Sequence, residues 1–344
     1  MDNTFSSYKI DDRSLIAFIK REIHNLALHI GFTPHRAAET DIIVAELTSN
    51  LIKYAKGGEL LYRANIEEDH NIIEIYCLDK GVGFENLSKI MNDGYSSSNT
   101  LGHGLGSIKR LSNDFQIYSM KNWGCVQYVK ICDKPEFCSS PFLGGLNHAA
   151  IAVNYPGEKF CGDGYHIKSL KKGFQIFLGD GLGHGENANE AVQLAIKAFK
   201  QSIEWEPSEI LRDIHSKVKK SRGLVATVAS VEYSSEVWNI CGIGNISTRI
   251  YDGLENKTYT PYNGIIGHNI PRTLNSTSVP YKKHQIIVMH SDGLRTRWNL
   301  NEMTSLIKQP SGIIASAILK ENIRGTDDAS ILVGKLCKCH ERDH

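Results

Sequence analysis

Carboxylates stand at the ends of predicted strands throughout the second half of the chain, at Asp163, Asp180, Asp292 and Asp327. Asp180 follows the apolar run 174–178, and a glycine-rich turn separates it from an amphipathic helix predicted over 187–203. Glycine lets backbone carbonyls come close to a ligand, and a hard divalent cation prefers carboxylate and carbonyl oxygens. One Asp-Gly pair is equally typical of a plain turn, but four strand-end carboxylates together predict a metal site.

In this order and setting, the aspartates resemble the ligands of metal-dependent protein phosphatases of the type 2C class, and more closely those of its bacterial SpoIIE and RsbX branch. The resemblance covers about residues 148–336. It implies a layered α-β-β-α sandwich with bound Mn2+ or Mg2+, which would activate a water for attack on phosphoserine. By position, Asp180 would bridge two ions, Gly181 would add a carbonyl, and the other three aspartates would complete the site. Asp328 is a lesser candidate, and His184 would either donate to phosphate or cap a turn.

Two polar residues share one face of a predicted helix in the first half of the chain. Glu46 and Asn50 are four residues apart in a helix predicted over 34–55, with Thr33 as its expected N-cap and Pro34 as its first residue. A carboxylate and an amide on one face could point together at a magnesium ion or a water. A solvated polar face is the alternative, and the pair alone does not decide between them.

Glycines accompany two further candidate sites in this half. Asp79 ends a predicted strand and is followed by Gly81 and Gly83, so it could accept a hydrogen bond from an adenine amino group or simply close a turn. Further on, a loop over 92–99, rich in Asn, Gly and Ser, leads to three alternating glycines and a helix predicted over 107–111. Such a loop can bring N–H groups and a helix N-terminus onto phosphates. The three glycines are Gly102, Gly104 and Gly106.

Taken in order, these residues resemble the GHKL ATP-binding fold, also called the Bergerat fold, which is an α/β sandwich. The resemblance spans about residues 8–132. Within it, the segments 46–55 and 92–98 are similar to the RsbT serine kinases, whose partners are STAS-domain proteins in stress signalling. The resemblance therefore implies ATP and Mg2+ as ligands and a STAS-domain protein as the partner.

The resemblance also implies a role for each of the candidate residues. Glu46 would be the general base, Asn50 a magnesium ligand and Asp79 the reader of adenine, with the glycines at 81 and 83 beside it. Residues 102–106 would form the hinge of an ATP lid. These roles suit phosphoryl transfer, which needs a metal-neutralised triphosphate, N–H donors and a group that accepts the serine proton.

Residues 133–147 break the hydrophobic periodicity with two prolines and a Gly-Gly pair, which predicts a linker. We therefore expect an α+β chain of two domains, which also fits a length of 344 residues. The GHKL-type kinase domain would span 1–133 and the linker 134–147. The phosphatase-type domain would span 148–338 and a short tail 339–344.

The balance of charged residues does not indicate nucleic acid or an anionic membrane as a partner. Lys and Arg number 39 and Asp and Glu 38, with no long block of like charge. No apolar run approaches the roughly 20 residues that span a bilayer, and the first residues lack the plan of a signal peptide, so we expect a cytoplasmic location.

Cysteine spacing favours reduced thiols. The 8 cysteines follow no disulfide framework, and several lie inside predicted strands. Cys337, Cys339 and His340 could bind a soft metal, but no second Cys/His pair at zinc spacing accompanies them.

Three functions fit these patterns. The first is a bifunctional regulator in which a serine kinase and a metal-dependent phosphatase act on a STAS-type partner. The main alternative is a phosphatase whose nucleotide-binding domain is a sensor or docking module, and the third is a partner-binding scaffold without catalysis. An intact Glu46 argues against the second, and four intact aspartates argue against the third. The sequence leaves open the identity of the partner, the preferred metal and the oligomeric state, a homodimer included.

Overall fold

The computed structural model divides the chain into two compact units, Met1–Ser140 and Pro141–His344. The residues that it describes are 4–55, 57–67, 69–84, 101–138, 142–143, 146–253, 255–282 and 284–336. Both units combine helices with sheets, which confirms the predicted α+β class. None of the helices in these ranges is long and apolar enough to cross a membrane.

The first unit is built on one antiparallel sheet with helices packed against one of its faces. Its elements are Ser6–Ile10 (β1), Ser14–His29 (α1), Pro34–Tyr54 (α2), Gly58–Ile66 (β2), Asn71–Asp79 (β3), Leu101–Leu111 (α3), Asp114–Met120 (β4) and Gly124–Cys132 (β5). The strands lie in the order β1-β2-β3-β5-β4. The apolar faces of the helices and of the sheet enclose a core that includes Ile23, Leu47, Ile75, Leu105 and Val129.

Helices α1 and α2 begin and end close to where the sequence predicts. In α1 the apolar residues recur every three or four positions, and Ile19 and Ile23 are buried on one face. Helix α2 has Pro34 at its first position and is capped by Thr33, whose Oγ1 accepts a hydrogen bond from the N–H of Arg36 at 3.1 Å. The predicted N-cap is therefore confirmed.

Helix α3 begins at Leu101, which corrects the prediction that the chain is a loop until Ser107. The three glycines of the Gly-x-Gly-x-Gly pattern consequently lie within the helix. Glycine disfavours a helix by about 1 kcal/mol per residue relative to alanine. Burial of Leu105 and Ile108 in the core of the unit offsets this penalty, and the sequence pattern does not reveal that contact.

Cys132 and Cys138 form a disulfide, which corrects the expectation that all the cysteines are reduced. Their Cα atoms are 6.1 Å apart. The bond joins the end of β5 to a 3-10 turn at Pro135–Phe137, inside the range predicted as a linker. Cys337, Cys339 and His340 lie outside the described residues. The described cysteines outside this disulfide are Cys77, Cys125, Cys161 and Cys241, and all four are buried.

The second unit contains two antiparallel sheets. Its strands are Phe142–Leu143 (β6), Leu146–Val153 (β7), Asp163–Leu170 (β8), Gly173–Gly181 (β9), Leu224–Glu232 (β10), Val237–Ile243 (β11), Ser247–Tyr251 (β12), Asn256–Tyr259 (β13), Thr277–Pro280 (β14), Ile286–His290 (β15) and Ala329–Leu336 (β16). Its helices are Glu186–Gln201 (α4), Pro207–Lys217 (α5), Thr304–Ile307 (α6) and Ser311–Asn322 (α7). One sheet has the order β14-β11-β10-β9-β8 and the other β13-β12-β15-β16-β7-β6.

Two hydrophobic cores make this unit a layered α-β-β-α sandwich. One lies between the sheets and includes Trp238, whose Nε1 donates a hydrogen bond to Gln285 Oε1 at 3.1 Å. The other lies between the first sheet and helices α4 and α5, where the ring centroids of Phe177 and Phe199 are 5.4 Å apart. Helix α7 packs against β7 and β16 of the second sheet. This order of layers confirms the predicted architecture.

We predict that Phe177→Ala destabilises the second unit by about 3–5 kcal/mol, because it removes a fully buried ring and leaves a cavity under α4. Urea unfolding followed by tryptophan fluorescence checks this, since three of the four tryptophans lie in this unit. The control is Leu194→Ala on α4, whose side chain is 39% exposed. Equal urea midpoints for the two variants would contradict the assigned packing.

Candidate functional site

The hairpin of β8 and β9 brings two of the predicted metal ligands together. Its antiparallel register sets Asp163 opposite Asp180, and β10 on the other side sets Val225 opposite Asp180. Helix α4 lies close by, because a Cβ on Gly181 would come within 2.4 Å of the carbonyl oxygen of Ala188. Glycine at this position therefore lets the helix approach the end of β9.

Asp163 is held by a hydroxyl that the sequence analysis did not single out. The carboxylate is 2% exposed, and its Oδ2 accepts a hydrogen bond from Ser291 Oγ at 2.6 Å. The same Oγ accepts a hydrogen bond from the N–H of Ser330 at 3.0 Å. Ser291 thus ties β8 of one sheet to the ends of β15 and β16 of the other.

Asp292 lies where β15 ends and β16 begins. Its Oδ2 accepts a hydrogen bond from Asn245 Nδ2 at 2.8 Å, and its carbonyl accepts one from Arg324 Nη1 at 3.2 Å. A Cβ on Gly293 would come within 2.0 Å of the carbonyl oxygen of Asp328. The two strand ends are therefore in contact, which brings the second pair of predicted ligand segments together.

Asp328 has a structural role that differs from that of the neighbouring carboxylate. Its Oδ1 accepts a hydrogen bond from the N–H of Tyr155 at 2.7 Å, and its Oδ2 accepts one from the N–H of Gly162 at 2.8 Å. Both of its oxygens are therefore used to fix the segment that leads into β8. Asp327 accepts only the N–H of the next residue, at 2.9 Å through Oδ1, among the described hydrogen bonds.

Burial and mutual repulsion act together on these carboxylates. Burial raises the pKa of Asp180, and the charges of Asp163, Asp292, Asp327 and Asp328 raise it further. Burial also raises the pKa of Asp163, against the hydrogen bond from Ser291, which lowers it. The pKa of Asp292 is raised for the same reason and by the charge of Asp327. The four predicted ligands therefore share one electrostatic neighbourhood.

A divalent cation fits the chemistry of this neighbourhood. Asp163 Oδ1 is buried without a hydrogen-bond partner, and positive charge would relieve both this atom and the repulsion between the carboxylates. As placed, however, no three or more His, Cys, Asp or Glu side chains in the described ranges have the spacing of a metal site. Support for a metal site therefore comes from the mutual repulsion of the carboxylates and from the Asp163 oxygen without a hydrogen-bond partner. It does not come from distances between ligands. The complete ligand set stays a prediction.

His184 pairs with a carboxylate. Its Nδ1 lies 2.8 Å from Glu158 Oε1, and its ring centroid lies 5.0 Å from that of Tyr155. The histidine, in the turn after β9, is therefore held against the loop that precedes β8, and donation to phosphate stays a prediction.

In the first unit, Glu46 lies against the backbone of α3. A Cβ on Gly104 would come within 2.5 Å of Glu46 Oε2, so any other residue there would force the carboxylate to move from this position. Asn50 is half-buried one turn further along α2. Close packing of α3 against Glu46 thus explains the glycine at position 104. The role of the three glycines in an ATP lid stays a prediction. The loop over 92–99 lies outside the described residues.

Asp79 closes a turn at the end of β3. Its Oδ1 accepts a hydrogen bond from the N–H of Gly81 at 2.8 Å, and Gly81 lies so close to the end of α2 that a Cβ would come within 2.9 Å of Ala55 Cα. Gly83 has a φ of +65°, and a Cβ there would come within 1.9 Å of the carbonyl oxygen of Met120. The turn that the sequence also allowed is therefore present, and recognition of adenine stays a prediction.

Two family models match the chain. One describes a histidine kinase-like ATPase domain and matches residues 11–130, and the other describes stage II sporulation protein E (SpoIIE) and matches residues 171–336. The matches fall in different units of the structure.

Curated relatives and a solved structure agree with these models. The chain is 24% identical over 188 residues to phosphoserine phosphatase RsbX of Bacillus subtilis (strain 168), covering 54% of this chain and 92% of that protein. It is 31% identical over 107 residues to serine/threonine-protein kinase RsbT of the same organism, covering 31% of this chain and 80% of that protein. It is also similar to the crystal structure of RsbX in complex with magnesium, with a TM-score of 0.50 and 21% identity over 56% of this chain and 95% of that one.

The folds and the matches together define a two-domain protein that joins a GHKL-like ATPase unit to a type 2C phosphatase unit. The chain belongs to the histidine kinase-like ATPase family through residues 11–130, and residues 171–336 match the SpoIIE family model and have the type 2C phosphatase fold. Both resemblances noted in the sequence are thereby confirmed.

We predict that Ser291→Ala weakens Mn2+ binding about tenfold or more, because the partner that orients Asp163 is lost. It should also lower the free energy of unfolding by about 1–3 kcal/mol, since the buried N–H of Ser330 loses its acceptor. Calorimetric titration with Mn2+ and urea unfolding measure the two effects. The control is Ser235→Ala in the exposed turn between β10 and β11. An unchanged Mn2+ dissociation constant would refute the positioning role.

Proposed function

We propose that this chain is a bifunctional signalling regulator that phosphorylates and dephosphorylates a serine or threonine of a STAS-domain partner in a bacterial partner-switching pathway. The observation that carries the proposal is the convergence of Asp163, Asp180, Asp292 and Asp327 in one electrostatic neighbourhood, in a chain that also keeps Glu46 on a GHKL-like unit. Similarity to a phosphoserine phosphatase and to a serine/threonine kinase of one organism supports the pairing of activities.

In the phosphatase unit, the four aspartates and the carbonyl of Gly181 would hold Mn2+ or Mg2+. Such ions, when bound, supply positive charge for the phosphoryl oxygens and lower the pKa of a bound water. The residues around them have separate tasks. Ser291 and Asn245 orient two of the carboxylates, and Asp328 fixes the loop that leads into β8. Magnesium in the similar RsbX structure supports this assignment.

In the kinase unit, Glu46 would accept the proton of the attacking hydroxyl, and Asn50 would bind the magnesium ion of Mg·ATP. Asp79 would receive a hydrogen bond from the adenine amino group, beside Gly81 and Gly83. The glycines of α3 would lie next to the phosphates, as the contact between Gly104 and Glu46 allows. Phosphoryl transfer mainly requires that the reactants be positioned and that the phosphate charge be neutralised. These residues are of the types that do both.

The proposal also divides the chain into domains. The kinase domain would span residues 1–133, the linker 134–147, the phosphatase domain 148–338 and the tail 339–344. The regulator is assigned to the cytoplasm, without nucleic acid or membrane as a partner. A homodimer is compatible with the proposal and is not required by it.

The central test uses Asp180→Asn. Removing the charge of the bridging carboxylate should abolish Mn2+-dependent release of phosphate from a phosphorylated STAS-domain protein, while transfer from labelled ATP persists. Mass spectrometry of the partner should show that the wild-type chain adds and removes phosphate at one residue. The control is Asp213→Asn, which changes an aspartate of α5 that pairs with Lys217. Near-normal release by Asp180→Asn would contradict the proposed site, and different target residues would contradict the shared substrate.

A second pair of variants tests the kinase half. We expect Glu46→Gln to bind Mg·ATP normally and to lose transfer about 100-fold or more, because the proton acceptor is gone. Asn50→Ala should instead weaken magnesium-dependent ATP binding. Calorimetry measures binding, labelled ATP measures transfer, and Glu22→Gln on the exposed side of α1 is the control. Normal transfer by Glu46→Gln would show that Glu46 is not the proton acceptor. A wild-type chain that binds ATP without transfer would instead favour a phosphatase with a nucleotide sensor.

A further inference from the structure

An arginine stands directly opposite the turn that follows Asp180. The antiparallel pairing of β9 with β10 sets Val225 opposite Asp180 and Leu224 opposite Gly181, and it continues through a hydrogen bond from the N–H of Leu182 to the carbonyl of Gly223 at 3.1 Å. The next residue along this ladder is Arg222. Arg222 therefore lies across from Gly183 in the turn that follows Asp180.

The guanidinium of Arg222 lies over a glycine. A Cβ on Gly183 would be 2.8 Å from Nη2, 3.1 Å from Cζ and 3.4 Å from Nη1 of that arginine. All three atoms are close at once, so the guanidinium lies across the backbone of the turn. Any side chain at position 183 would displace it. Gly183, whose φ is +74°, therefore provides both the turn and the space for the arginine.

The backbone at Arg222 is fixed by its neighbours. Its carbonyl oxygen lies 2.9 Å from His268 Nε2, within hydrogen-bond distance. The N–H of Gly223 donates to Ser221 Oγ at 3.2 Å, and that hydroxyl donates to the carbonyl of Val218 at 2.7 Å. These bonds hold the residue in place while its side chain remains exposed. A long side chain on a fixed backbone can sample only a limited region around the turn.

No carboxylate of the described chain forms an ion pair with this guanidinium. The carboxylate that does stand beside the turn, Glu158, pairs with His184 at 2.8 Å. Arg324 donates to the carbonyl of Asp292, and its charge opposes the rise in the pKa of that residue. Arg222 differs from Arg324, because its guanidinium donates none of the described hydrogen bonds.

We infer that Arg222 binds the phosphoryl group of the substrate. This inference rests on the proposed phosphatase function. It assigns Arg222 a contact with the substrate and no contact with the metal. A guanidinium keeps its charge at every physiological pH and offers paired N–H donors that match two phosphate oxygens. The phosphoserine group is a dianion that must approach a cluster of carboxylates. A cation over the turn that follows Asp180, outside the described ion pairs, favours that approach and orients the phosphoryl group as it arrives.

The experiment compares Arg222→Ala and Arg222→Lys with the wild-type full-length chain in the presence of Mn2+. p-Nitrophenyl phosphate serves as a small substrate, inorganic phosphate as a competitive inhibitor and phosphorylated casein as a protein substrate. In Arg222→Ala we expect the KM for p-nitrophenyl phosphate and the inhibition constant of phosphate to rise together, by roughly tenfold to a hundredfold. The kcat should change less than the KM. Arg222→Lys should recover part of the loss.

Two controls separate this role from others. Arg272→Ala removes an exposed arginine whose carbonyl contacts α5, and it should leave all of these constants unchanged. The Mn2+ dissociation constant of Arg222→Ala should equal that of the wild-type chain, because the arginine does not hold the metal. A shift in that constant would place Arg222 in the metal centre and overturn the inference.

The remaining outcomes are equally decisive. A rise in KM for casein alone, with p-nitrophenyl phosphate and phosphate inhibition unchanged, would show that Arg222 contacts the protein substrate and not its phosphoryl group. Unchanged constants for every substrate would overturn the inference while leaving the phosphatase function intact. If the wild-type chain hydrolyses neither substrate with Mn2+, it is the proposed phosphatase function that fails, and Arg222 loses its substrate with it.

Discussion

The second unit depends on holding like charges together at one end of a sheet. The register of β8 and β9 sets Asp163 opposite Asp180, and the Cβ atoms of directly opposed residues lie about 4.5–5.5 Å apart. Carboxylates at such a separation repel each other, and the low dielectric of a buried site strengthens the repulsion. The fold sustains it because the hydrophobic cores on both faces of this sheet fix the strands. The candidate metal site thus lies where hydrophobic packing opposes the repulsion between carboxylates.

Hydrogen-bond donors around the cluster decide which carboxylate remains available. Asp327 and Asp328 are adjacent in the chain, yet Asp328 is fully engaged by the N–H groups of Tyr155 and Gly162. The hydroxyl of Ser291 engages one oxygen of Asp163 and leaves the other without a partner. Residues of one chemical type therefore divide into anchors and candidate ligands according to the donors that each strand end presents. Sequence position alone does not distinguish them.

Local patterns predicted much of this molecule because their causes are local. The N-cap Thr33 and the apolar period of α1 lie within the helices that they specify, and an aspartate after an apolar run identifies a strand end. The role of Ser291 was not predictable in this way, because 128 residues separate it from Asp163. The start of α3 was predicted wrongly because its glycines oppose a helix, and only the buried contacts of residues such as Leu105 hold it.

The contact between Gly104 and Glu46 makes the two proposed activities separable by a very small change. Any side chain at position 104 would clash with the carboxylate, since a Cβ would lie 2.5 Å from Glu46 Oε2. A glycine codon becomes an alanine codon through one nucleotide change. One added methyl group would thus push aside the carboxylate proposed as the kinase base, while the aspartates of the other unit are left unaltered. A gene with that one change would encode a chain that loses the proposed kinase base and keeps every residue of the candidate metal site.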